Sequence, residues 1–122
     1  MSWGGVLLMA AALQPGQIDW PSLPLVPYRL PPQMSPQMHA FAGREAETRH
    51  CPLAQPGRID VQLAVLIDGE GQVRTVVPRA IDCATVEQYA AGLVAGFARN
   101  NLLPRTGGTE QWYKTTLTFT WK

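Results

Sequence analysis

"IDVQLAVLIDGEGQVRTVVP", residues 59–78, decides the fold. Ile59, Val61, Leu63, Val65 and Ile67 alternate with Asp60, Gln62, Ala64, Leu66 and Asp68, the period of two of a strand with one buried face. Val73, Thr75 and Val77 resume the alternation, and Pro78 ends it because proline has no N–H to give to a ladder. Two such runs with a short glycine-containing link predict an antiparallel hairpin.

The link itself, Asp68-Gly69-Glu70-Gly71, raises the question of a cation or phosphate site. Setting Gly71 at the sixth position of a calcium loop puts Asp68 and Glu70 at the third and fifth, but Leu66 at the first and Val77 at the twelfth. Both end carboxylates are then missing. No Gly-Lys-Ser/Thr follows, and the next element is a strand, so the pattern is not a phosphate loop. The link reads as a turn whose glycines supply positive φ.

Downstream, "TVEQYAAGLVAGFARNN" (85–101) predicts a helix. Thr85 and Gln88 have capping-box spacing, and Val86, Tyr89, Ala90, Leu93, Val94 and Phe97 lie on one apolar face. Gly92 and Gly96 are expected to let it sit close to a sheet. Pro104 prevents resumption after Asn100 and Asn101. "QWYKTTLTFTWK" (111–122) then alternates Tyr113, Thr115, Leu117, Phe119 and Trp121 with Trp112, Lys114, Thr116, Thr118 and Thr120. The order β-β-α-β predicts an α+β domain over residues 51–122. Its three-stranded antiparallel sheet, in order 2-1-3, carries one helix on one face.

Upstream the composition changes. Most of the 11 prolines lie before residue 57, and residues 13–50 read as a proline-rich extended tether. Trp20, Leu23, Leu25, Val26 and Tyr28 give it apolar groups with which to pack on the domain. Residues 1–12 read as an export signal, with an apolar run and small residues at Ala10–Ala12. The net charge is +1 and the 10 Lys and Arg form no cluster, which argues against nucleic acid and anionic membrane as partners.

Cys51 precedes the first strand and Cys83 follows the second, so a hairpin brings both to the same end of the sheet. A disulfide is expected, as is common in small exported domains. Zinc on His39, His50, Cys51 and Cys83 is the competing use, and Met34, Met38 and His39 form a soft set for cuprous ion. Ser2, Ser22 and Ser35 fall outside the domain, and no acid–base pair is evident, so neither enzyme activity nor a cofactor is expected.

The last strand is a sheet edge in this topology, with roughly 35 Å of outward hydrogen-bonding groups. Lys114 is its one charge before Lys122. Such an edge accepts a partner's strand through main-chain bonds, and Trp112, Lys114, Thr116, Thr118 and Thr120 are the candidate partner-binding residues. Coverage by the tether, or by a second copy in a homodimer, is the alternative.

Together, "IDVQLAVLIDGEGQVRTVVP", "FARNNLLP" and "WYKTTLTFTW" resemble the C-terminal domain of TonB-type energy transducers. Gly71 and Val73 match the turn signature, Phe97 and Pro104 the helix end, and Phe119 the last strand, over residues 51–122. The resemblance implies a periplasmic domain that pairs its last strand with a short segment of a TonB-dependent outer-membrane receptor. The proline-rich tether is similar to the family's spacer.

Overall fold

The computed structural model describes residues 17–104 and 108–122. The expected export signal (1–12) lies outside the described residues, as do residues 13–16 of the tether. In chain order the elements are a 3-10 turn (Trp20–Ser22), α1 (Pro36–Thr48), β1 (Arg58–Ile67), β2 (Val73–Pro78), α2 (Ala84–Ala98) and β3 (Gln111–Thr120).

The sheet has the expected order β2-β1-β3, with both pairs antiparallel. Ladder partners include Val61 with Leu117 and Leu63 with Thr115. The alternation read from the sequence is the one seen. Ile59, Val61, Leu63, Val65 and Ile67 are buried on one face together with Tyr113, Leu117 and Phe119.

The acidic link is a turn. The Asp68 carboxylate oxygen Oδ1 accepts from the Glu70 and Gln72 amides, each at 2.9 Å. Gly71 has φ +83°, a backbone state that costs glycine little.

Helix α2 packs Val86, Ala90 and Val94, all fully buried, onto the apolar face of the sheet. Two local expectations are corrected. The N-cap is Cys83 rather than Thr85, and the reciprocal bond comes from Glu87 instead of Gln88. The Glu87 Oε2 atom accepts from the Ile81 amide at 2.9 Å and the Cys83 amide at 3.1 Å. The chain enters the helix from the disulfide, which fixes the cap two residues early. Gly92 and Gly96 are also not points of close approach: both are exposed, and a Cβ at either would meet nothing within 4 Å.

Cys51 and Cys83 form the expected disulfide, with Cα atoms 5.3 Å apart across a separation of 32 residues. The chain-entropy contribution of a loop that long is about 3–4 kcal/mol.

A second helix, α1, lies inside the segment read as an extended tether. Ser35 caps it: its hydroxyl accepts from the Met38 amide, while its own amide donates to the Met38 sulfur. Pro36 occupies the first turn, where a missing N–H costs nothing. The buried face is made of Ala42, Gly43 and Ala46. Phe41 meets Tyr89 of α2 with ring centroids 4.5 Å apart, and His39 approaches Phe119 edge-on at 6.3 Å. Both helices therefore lie on the same face of the sheet.

Residues 17–34 form a strap around β3. Ile18 and Trp20 are buried on the opposite, open face over Ala64, beside Leu23, Val77 and Trp112. The chain then crosses the outer edge of β3 and meets the segment after α2. There the Arg29 amide donates to the Asn101 carbonyl (2.7 Å) and the Leu103 amide to the Pro27 carbonyl (2.8 Å). From that point it enters α1 on the helix side.

Candidate functional site

Main-chain direction on β3 follows from Lys114. Its amide donates to the Pro24 carbonyl at 2.8 Å, and its carbonyl accepts from the Val26 amide at 2.9 Å. Both groups thus point away from β1. Strand alternation places the main-chain groups of Trp112, Thr116, Thr118 and Thr120 on the same outer side. The Thr120 amide confirms the phase by donating to His39 Nδ1 at 3.1 Å.

The outer edge is thus held at Lys114 and at Thr120. Between them, the outward N–H and C=O of Thr116 and Thr118 have no hydrogen-bond partner among the described residues. Four unpaired groups in a row form a short open ladder of the kind that binds another strand.

The five residues singled out from the sequence project their side chains onto the open face, because Tyr113, Thr115, Leu117 and Phe119 are buried beneath the helices. Trp112 joins the Trp20 cluster. The Lys114 ammonium donates to the Trp20 carbonyl at 3.2 Å, which fastens the strap to the edge a second time. Thr116 and Thr120 are exposed. The Thr118 hydroxyl donates to Asp60 Oδ1 at 2.6 Å.

A shallow groove of about 400 Å³ lies on the same face, lined by Arg58, Asp60, Gln62, Arg79, Ile81, Thr116 and Thr118. The Thr118 hydrogen bond, with a smaller contribution from Arg58, holds the Asp60 carboxyl below its ordinary pKa. Arg58 also bonds this carboxylate at 3.2 Å. Arg79 donates to the Gln62 side chain and lies 5.5 Å from the centroid of the Trp20 ring, a cation–π contact. Arg58 and Asp60 thus pair with each other and Arg79 with Gln62 and Trp20, while the buried Arg58 Nε has no hydrogen-bond partner among the described residues.

The metal-ligand sets do not assemble. Cys51 and Cys83 are joined, so neither thiolate is available to zinc. The Met38 sulfur is occupied in the α1 cap and His39 Nδ1 in the bond to Thr120. Among the described residues no group of three or more His, Cys, Asp or Glu is placed to hold a metal ion.

His39 and Asn101 make contacts that sequence reasoning misses, while Tyr28 packs on the domain as expected. His39 terminates the open stretch of edge. Asn101 ties the strap to the end of α2: its side chain accepts from the Leu30 amide at 2.9 Å and donates to the Leu30 carbonyl at 2.8 Å and the Phe97 carbonyl at 3.1 Å. Tyr28 packs against the main core, and burial raises its phenol above the ordinary pKa, with the Thr115 hydroxyl acting in the opposite sense. The asparagine pair after a helix signals a cap, but nothing in the sequence marks its strap partner.

Comparison with family models, with curated proteins and with solved structures finds no match. Among the described residues no helix is long and apolar enough to cross a membrane.

Proposed function

We propose that this chain is a non-enzymatic, periplasmic protein-binding domain that takes an extended segment of a partner onto the outer edge of β3. The observation that carries the reading is the state of that edge. At Lys114 it already holds an extended segment through main-chain bonds, and at Thr116 and Thr118 its groups remain open. Main-chain pairing supplies affinity without demanding a particular side chain, and the exposed residues beside it supply selectivity.

The disulfide supports an oxidising compartment. The resemblance to the C-terminal domain of TonB-type transducers names the class of partner, a short segment of an outer-membrane receptor.

The test compares Thr116→Pro and Thr118→Pro with Thr116→Ala, measuring binding of synthetic receptor segments by fluorescence anisotropy. Proline removes one outward N–H, so binding should fall at least about tenfold. Alanine keeps the main chain and should bind as the parent does. Circular dichroism must show that the proline variants retain their helices. Equal binding by folded proline and alanine variants would overturn the reading.

Self-association is a second reading with an observation of its own. Thr116 and Thr118 flank Leu117 symmetrically, so two copies placed antiparallel about Leu117 could pair Thr116 with Thr118 in both directions. Sedimentation across a concentration series separates a homodimer from a monomer with an open edge.

A further inference from the structure

The strap meets β3 as a strand that stops short. Lys114 is bracketed by the Pro24 carbonyl and the Val26 amide, and Leu25 pairs with it in the parallel sense. In a parallel ladder the next bonds would come from the amide of residue 24 to the Trp112 carbonyl and from the Val26 carbonyl to the Thr116 amide. Neither forms. Residue 24 is proline and has no N–H. The Val26 carbonyl is taken instead by the Tyr28 amide at 2.9 Å, a tight turn centred on Pro27. Two prolines therefore limit the strap to two bonds on an edge that offers more.

Side chains hold what the ladder does not. Trp20 is 8% exposed in its seat on the open face, and Val26 is 7% exposed in the main core six residues later. Leu25, between them, is 72% exposed. Aromatic, edge contact and β-branched residue thus form a spaced set: Trp20, then Pro24 and Leu25 at the edge, then Val26.

We infer that the strap is a truncated stand-in for the partner. The segment that binds is a stretch of another protein running parallel to β3, extended and proline-free where it meets the strand, with an aromatic residue on a preceding turn for the Trp20 seat and a β-branched residue six positions on. It displaces residues 20–26 and continues past Lys114 to bond Thr116 and Thr118. This rests on the strand-addition reading and adds to it a direction, a side-chain spacing and a resident competitor. Departure of the strap also frees the Lys114 ammonium from the Trp20 carbonyl, so an acceptor from the incoming segment can take its place.

The test uses the full chain and two synthetic peptides. One copies residues 17–28, and the other carries Pro24→Val and Pro27→Val. The valine peptide regains the missing ladder bonds and should bind at least about tenfold more tightly than its parent. A full chain with Trp20→Ala, whose own strap is weakened, should bind the valine peptide about tenfold more tightly than the unaltered chain. Amide exchange of the unaltered chain gives an independent reading. Val26 and Lys114 should exchange together and at least about tenfold faster than Thr115 and Leu117, because the strap opens without the sheet.

Equal or absent binding of both peptides would overturn the inference, as would Val26 and Lys114 amides as protected as Thr115. If the strap peptides fail while receptor segments still lose affinity at Thr116→Pro, the strap inference falls and strand addition stands.

Discussion

Gly43 lies directly beneath the indole of Trp121: a Cβ built on it would stand 2.5 Å from Trp121 Cγ. One turn further along α1, the same indole donates its N–H to Glu47 Oε2 at 2.9 Å. The helix is thus seated on the residue that follows β3, and only a residue without a side chain permits the seat. Gly43→Ala should destabilise the protein by about 1–3 kcal/mol through overpacking. Gly92→Ala, at an exposed helical site with nothing near its Cβ, should stabilise it by about 0.5–1 kcal/mol. Urea unfolding of the pair checks both signs.

Reduction of Cys51–Cys83, or replacement of both by alanine, should lower stability by about 3–4 kcal/mol. The bond joins the approach to β1 with the N-cap of α2. The expected outcome is a lower denaturant midpoint, with the parent recovering its value on reoxidation.

Alkaline pH should loosen the strap. Tyr28 has a raised pKa because burial disfavours the phenolate. The sign follows directly: the contribution is complete below the ordinary tyrosine range near pH 10 and is lost as pH climbs through the higher folded value. Melting temperature between pH 9 and 11 should fall less steeply in Tyr28→Phe than in the parent.

The β1–β2 turn rests on Asp68, whose carboxylate accepts two amides and lies 3.8 Å from the Arg74 guanidinium. Asp68→Ala leaves those amides without their acceptor and should cost about 1–2 kcal/mol. Asp68→Asn keeps a side-chain acceptor and should cost less. Thermal melts of the two variants make the comparison.

Much of the sheet was legible because its signals are strong and local. Alternation over Ile59–Ile67 and Tyr113–Phe119, together with the acid-glycine turn, fixes strand identity, and chain direction fixes the order. The disulfide followed from that topology. Helix α1 was not legible, because its buried face is Ala42, Gly43 and Ala46. Those residues are small and give little apolar periodicity, and prolines crowd the sequence before them. Ser35-Pro36 was the available signal, a cap residue followed by proline in the first turn. The last strand was rightly placed at an edge, yet which of its amides stay open depends on Pro24, Val26 and His39. All three lie more than 70 residues earlier in the chain, and no local pattern connects them to β3.

Residue-resolved amide exchange along β3 of the full chain is the most direct measurement. Thr116 and Thr118 should exchange quickly, and Tyr113, Thr115, Leu117 and Phe119 slowly, since the latter are bonded to β1. Lys114 and Thr120, held by the strap and by His39, should fall between. Thr116 and Thr118 as slow as their ladder-bonded neighbours would mean a closed edge, and would contradict the binding mode proposed for it.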